Sequence, residues 1–188
     1  MRVIAGTARS LKLQTIEGMN TRPTTDRTKE TLFNIIGNNL YGVVFLDLFS
    51  GSGAIGIEAL SRGADKAYFV EENKKAIECI RQNLKHTKLE KDAVILQQDV
   101  FVALDSIIKN ETILNIVFMD PPYGKELEKR VLLKLNEASN LDDDIMIIVE
   151  SDLQTEFSYL EQTIFEIYKE KRYKTNKHTF IRKRYIDE

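Results

Sequence analysis

Val43-Val44-Phe45-Leu46-Asp47-Leu48-Phe49 runs straight into Ser50-Gly51-Ser52-Gly53-Ala54-Ile55-Gly56, and this junction narrows the folds open to the chain more than any other stretch. The apolar, β-branched and aromatic run reads as a buried strand over 43–49. Ile57, Ala59 and Leu60 continue it as a helix over 54–62. Glycines between the two let backbone approach a ligand closely, and the helix start presents free N–H groups. A strand, a glycine turn and a helix in this order open an α/β sheet whose ligands sit at the carboxyl ends of its strands.

The same alternation continues. Strands are expected over 66–71, 93–98, 114–120 and 144–150, with helices over 73–87, 100–109 and 126–137 between them. That order predicts a mostly parallel sheet with helices on both faces. Two further strands, 163–173 and 177–184, follow each other closely and read as an antiparallel hairpin closing the sheet. Ahead of the sheet, Thr25 or Asp26 can cap a helix with an apolar face of Leu32, Ile35, Ile36 and Leu40. Val3-Ile4-Ala5 and Leu11-Lys12-Leu13 read as a small hairpin around Gly6-Thr7. The chain is expected to be one domain over 1–188, with 1–24 as an N-terminal hairpin extension.

Asp120-Pro121-Pro122-Tyr123 follows the apolar run Ile113–Met119 at the carboxyl edge of that sheet. The prolines remove two backbone donors, so the segment offers mainly carbonyl oxygens, a carboxylate and a flat ring. Such a set suits a planar group bearing an NH₂, such as a nucleobase amine; a rigid polar turn is the plainer alternative. Glu71 lies 20 residues after Gly51, at the end of the next strand, where a carboxylate suits a ribose diol.

Gly51-Ser52-Gly53-Ala54-Ile55-Gly56 also matches the dinucleotide fingerprint of a dehydrogenase. Asp47 argues against that reading, since a carboxylate beside a pyrophosphate is repulsive but beside an amino or sulfonium group is attractive. Asp-Pro-Pro-Tyr has no part in hydride transfer.

Asp47-Leu48-Phe49-Ser50-Gly51-Ser52-Gly53 together with Asp120-Pro121-Pro122-Tyr123 resembles the class I S-adenosylmethionine-dependent methyltransferases that act on amine nitrogens. Arg2-Val3-Ile4-Ala5-Gly6, Thr21-Arg22-Pro23-Thr24-Thr25-Asp26-Arg27-Thr28-Lys29-Glu30-Thr31-Leu32-Phe33-Asn34 and Glu58-Ala59-Leu60-Ser61-Arg62-Gly63-Ala64 narrow the resemblance to the bacterial 16S ribosomal RNA guanine-N2 methyltransferases of the RsmD type. It runs from residue 2 to about residue 150 and more loosely beyond. Two positions depart from that family's pattern: Arg9-Ser10-Leu11-Lys12 stands where an Arg-Gly-Arg-like stretch is usual, and Tyr173-Lys174 where Tyr-Gly is frequent.

The resemblance implies a Rossmann-like fold and methyl transfer from S-adenosylmethionine to a guanine N2 in 16S ribosomal RNA, within the small ribosomal subunit. It implies a catalytic set of Asp120, Pro121, Pro122 and Tyr123, and a cofactor set of Arg22, Thr24, Asp47, Phe49, Gly51, Ser52, Gly53, Glu71 and Asp99. Asp99 reads equally well as a helix cap, and Arg22 and Thr24 as the entry to the first helix. An adenine-N6 methylase of DNA or RNA, and a non-catalytic cofactor-binding ribosome assembly factor, remain as alternatives. The chain's size leaves no room for the target-recognition domain of a DNA methylase. Intact Asp47, Glu71 and Asp120 speak against the assembly factor.

The net charge of −2 conceals an asymmetry. Residues 1–30 carry six Lys/Arg against three Asp/Glu, and residues 169–188 carry eight against three. Phosphates must then be met by the ends, with Arg2, Arg9, Lys12 and Arg22 as the RNA-binding candidates and Lys171, Arg172, Lys174 and Lys177 as a second patch. At 188 residues and 43% hydrophobic, the chain can bury a sizeable core. It has no apolar run near the roughly 20 residues a membrane span needs, and Met1 to Ser10 lacks the apolar core of a signal peptide. Cys79 sits on an apolar helical face and reads as core packing; a cytoplasmic setting is expected. His86 and His178 are too isolated to suggest a metal site. The sequence leaves the oligomeric state open.

Overall fold

The computed structural model describes residues 1–16, 25–37 and 40–185. Arg22 and Thr24 lie outside the described residues, so their expected roles have no structural counterpart here.

The elements are α1 (Asp26–Ile36), β1 (Val44–Leu48), α2 (Ala54–Ser61), β2 (Lys66–Val70), α3 (Lys74–Thr87), β3 (Ala93–Leu96), α4 (Val100–Lys109), β4 (Leu114–Met119), α5 (Leu127–Asn136), β5 (Leu141–Asp152), β6 (Phe165–Arg172) and β7 (Asn176–Lys183), with short 3₁₀ turns at Glu90–Asp92 and Ser158–Gln162. Seven strands form one sheet in the order β3-β2-β1-β4-β5-β7-β6. β1 to β5 are parallel, while β7 is antiparallel to both β5 and β6. The chain winds outward from β1 to β3, then returns to place β4 on the other side of β1. This reversal opens a crevice at the carboxyl ends of β1 and β4, the ligand position of open α/β sheets.

Side-chain alternation sorts the core onto the two sheet faces. Phe45, Phe69, Phe118, Ile148 and Phe180 point to one face, covered by Leu32 and Phe33 of α1, Ile57 of α2 and Ile77 and Ile80 of α3. Leu46, Val117, Met119, Ile147 and Ile181 point to the other, beneath Ala103 and Ile107 of α4 and Val131 and Leu135 of α5.

The amphipathic expectation for α1 holds through Ile36, where Gly37 ends the helix at φ 116° and returns its N–H to Phe33 O. Leu40 is buried from beyond the helix, its N–H on Arg62 O. The expected N-terminal hairpin is reduced to one antiparallel bridge, Arg2 to Lys12, closed by a tight turn over 5–10. Every residue of α2 is buried, because this arm lies over it. Gly6 permits the contact: at φ +82°, a Cβ there would stand 1.7 Å from the Ser61 carbonyl oxygen.

A charged knot fixes the arm. Glu58, fully buried on α2, accepts from Ile4 N (2.8 Å), Ala5 N (3.0 Å) and Arg62 Nε (2.9 Å), and pairs with Lys29 Nζ at 3.2 Å. Lys29 also donates to Arg2 O at 2.6 Å. All these donors converge on one carboxylate, which is what a buried ion pair needs if its desolvation is to be offset.

Candidate active site

β1 delivers Asp47 and Phe49 to the crevice, and Ser50 to Gly53 turn the chain into α2. Phe49 takes a left-handed φ of 61°, a conformation that costs a non-glycine residue about 1 kcal/mol or more and clusters at ligand sites. Gly51 (φ 55°) and Gly53 (φ 76°) complete the turn. Gly56 serves packing instead: a Cβ there would lie 2.4 Å from the Phe69 ring, so α2 could not sit this close to β2.

Three carboxylates from three neighbouring strands meet at this edge. Register pairs Met119 with Val149, and Glu150 with His178, so Asp120 and Glu150 follow at the same level on adjacent strands. Alternation from Phe45, Phe118, Ile148 and Phe180 sends Asp47, Asp120, Glu150 and His178 to the same sheet face. Burial first, then the Glu150 and Asp47 charges, push the Asp120 carboxyl up to about 8. Burial also pushes Asp47 up to about 7; its hydrogen bond from the Gly56 amide (3.0 Å) opposes this and Glu71 adds to it. No cation among the described residues bonds to Asp47 or Asp120.

Behind Asp120 runs a hydrogen-bonded chain that the sequence did not disclose. The Asn176 side-chain amide, beside the Tyr123 phenol, donates to Glu150 Oε1. Glu150 Oε2 meets His178 Nε2 at 3.0 Å, and His178 Nδ1 meets the Tyr173 hydroxyl at 3.2 Å. His178 is fully buried, with Phe118 edge-on at 6.2 Å. Burial, with Asp120, Glu150 and Asp152, raises the Tyr123 phenol well above its usual range. Its ring is 47% exposed at the mouth and so offers a face to a ligand. Pro121 is buried and Pro122 exposed beside it.

The other expected cofactor residues lie along the same edge. Glu71 ends β2 and accepts from Gly51 N (2.9 Å), Glu72 N and Asn73 N, which ties it to the glycine turn. A carboxylate has about four lone-pair sites, so acceptor capacity remains for a diol. Ser52 offers its carbonyl to Asn83 Nδ2 at 3.0 Å. Asp99 caps α4, taking Phe101 N (2.8 Å) and Val102 N (3.3 Å). The cap reading of Asp99 is borne out, and the residue stays exposed beside the β3 end. The expected RNA contacts Arg9 and Lys12 lie on the outer arm, while Arg2 pairs with Asp26 at 3.2 Å yet keeps 62% of its side chain exposed. Lys177 departs from the expected second basic patch: it is buried, with its ammonium 2.8 Å from Glu170. Among the described residues, no group of three His, Cys, Asp or Glu could hold a metal ion, and no helix is long and apolar enough to cross a membrane.

A sheet of this order, with a glycine turn and Asp-Pro-Pro-Tyr at adjacent strand ends, is that of a Rossmann-like class I methyltransferase. The chain belongs to the family described as Conserved hypothetical protein 95, whose model matches residues 1–182. It is 42% identical over 156 residues to YlbH of Bacillus subtilis, which carries a provisional rRNA methyltransferase name, covering 83% of this chain and 85% of that one. It is 35% identical over 154 residues to Ribosomal RNA small subunit methyltransferase D of Escherichia coli (strain K12), covering 82% and 76%. The solved yhhF chain from Escherichia coli superposes with a TM-score of 0.83 at 31% identity, covering 97% of each. A more distant chain, SMU.776, solved in complex with SAH, shares the fold at 16% identity and a TM-score of 0.66, covering 82% of this chain and 48% of that one.

Proposed function

We propose that this chain transfers a methyl group from S-adenosylmethionine to the exocyclic N2 amine of a guanine in 16S ribosomal RNA. The single observation behind the reading is the cluster of Asp47, Asp120 and Glu150 on one sheet face beside the glycine turn. Asp47 and Asp120, buried and without a cationic partner among the described residues, suit a ligand that brings its own positive charge. A bound sulfonium cofactor supplies an activated methyl group and that charge. The relatives' names as rRNA methyltransferases support RNA as the acceptor.

The chain's own residues supply position and electrostatics. Gly51 and Gly53 let backbone lie against the methionine part, and Glu71 takes the ribose hydroxyls. Asp120, ionised once a positive charge lies beside it, accepts one N–H of the target amine, and the Pro121 carbonyl accepts the other. The nitrogen lone pair, withdrawn into the guanine ring, is thereby turned toward the methyl carbon. Transfer would form the nitrogen–carbon bond as the sulfur–carbon bond breaks, and the Asp120 carboxylate would take the proton that the amine loses. Tyr123 stacks on the base, which has to leave its helix to reach this edge.

The experiment is tritiated-methyl transfer onto unmodified small-subunit RNA and onto assembled subunits, followed by nucleoside analysis. N2-methylguanosine is expected. N6-methyladenosine would put an adenine methylase in its place, and absence of transfer to either substrate would overturn the RNA reading.

A further inference from the structure

Two segments far apart in sequence meet beside the active-site edge. Arg27, Thr28 and Thr31 from the first half of α1, Lys171 and Arg172 at the end of β6 and Tyr173 just after it line a crevice of about 220 Å³. Its position follows from the topology. Asp152, the last residue of β5, pairs with Asn176, so the β6–β7 turn stands at the carboxyl edge of the parallel strands. α1 packs on the Phe45 and Phe118 face, the face onto which Asp120 projects. The crevice therefore adjoins the target pocket, and the hydrogen-bonded Tyr173–His178–Glu150–Asn176 chain runs from one to the other.

Its chemistry is cationic. Among the described residues, no carboxylate lines it. The neighbouring acids are engaged elsewhere: Asp26 with Arg2 at 3.2 Å, and Glu170 with Lys177 at 2.8 Å and more loosely with Arg172 at 3.5 Å. Arg27 and Lys171 are exposed, and neither makes an ion pair among the described residues. Thr31 donates its hydroxyl to Arg27 O and Thr28 shares its own with Thr25, so the cations carry the recognition. Guanidinium forks beside an ammonium match a phosphodiester.

We infer that this crevice binds the RNA backbone phosphate flanking the flipped target nucleotide. The inference rests on the RNA reading above and adds to it the place where the polymer is gripped. A base turned into the Asp120 pocket drags its neighbouring phosphates across this edge, and the crevice holds them in register while the base enters.

The test is fluorescence anisotropy of labelled, unmodified small-subunit RNA against wild type, Arg27→Glu/Lys171→Glu and Lys109→Glu, over a salt series. Lys109 ends α4 on the opposite edge of the sheet and serves as the control. Both altered crevice positions are exposed, and glutamate in the first turn of α1 suits a helix start, so the double variant is expected to fold. It should bind RNA at least about tenfold more weakly and lose about 0.7 of salt slope per phosphate contact removed. Its calorimetric affinity for S-adenosylhomocysteine should stay within twofold of wild type, and Lys109→Glu should match wild type throughout. A wild type that methylates RNA beside a double variant with unchanged affinity and slope would overturn the crevice alone. A wild type that transfers no methyl to RNA would overturn the functional reading and the crevice with it.

Discussion

Asp120 concentrates the conflict between stability and chemistry in one side chain. Its carboxyl titrates near 8 in the folded chain against 3.8 ordinarily, because burial and the Glu150 and Asp47 charges oppose ionisation. Below about pH 4 it is protonated both folded and unfolded and costs nothing. Between pH 4 and 8 the unfolded chain releases that proton and the folded chain keeps it, so stability falls as pH rises. Asp120→Asn removes the penalty. Urea unfolding should find the variant equal to wild type near pH 4 and more stable near pH 8, by about 2 kcal/mol or more. Methyl transfer should meanwhile fall at least about thirtyfold, since a neutral amide is a poorer acceptor for the target amine. A stability difference that does not grow with pH would mean that Asp120 stays hydrated. Asp120 itself was legible in the sequence, standing after an apolar run with two prolines behind it. Glu150 ends a similar run but has no such flag. His178 becomes its partner only through the antiparallel register of β5 and β7, across 28 residues of chain.

At the scale of elements, the alternation of strands and helices was readable because each apolar run faces helices on both sides of the sheet. β5 was expected from residue 144 and begins at Leu141. The aspartates at 142–144 hid its start, and they are placed by partners far off: Asn115 donates to Asp142, and Lys183 to both Asp143 and Leu141 O. The arm is the converse case. Its pattern suggested a small hairpin extension, and the knot around Glu58 ties it to α2. That carboxylate offsets the burial of Lys29, whose ammonium is already pushed toward neutrality by desolvation. Glu58→Ala leaves the buried Lys29 ammonium without its carboxylate and should cost about 3–5 kcal/mol, whereas Lys29→Met should cost less because Glu58 keeps Arg62 as a counter-charge and the Ile4 and Ala5 amides as donors. Hydrogen exchange should then report faster exchange at Ile4 and Ala5 in Glu58→Ala, the two amides that donate to it. Unchanged protection there would show that the arm is held by its apolar contacts, chiefly Val3, Ala8 and Leu13.

Across the whole molecule, charge and topology divide the work. The acidic middle of the chain supplies the carboxylate edge, and its basic ends return to flank it. The arm runs outward over α2 and ends beside the glycine turn, where Asn83 donates to both Gln14 O and Ser52 O. Arg9 and Lys12 project from that arm, while Arg27 and Lys171 line the crevice on the far side of α1. On the proposed function, a strand of RNA lying across the carboxyl edge would meet both groups. They share no partner among the described residues, so their contributions to affinity should add. Arg9→Glu/Lys12→Glu should weaken RNA binding and lower its salt slope while leaving S-adenosylhomocysteine affinity intact. Combined with Arg27→Glu/Lys171→Glu, the losses in log affinity should sum to within about 0.3–0.5 kcal/mol of free energy. A quadruple variant no weaker than the crevice double would leave the arm as a solvated edge that holds α2 in place and never touches RNA.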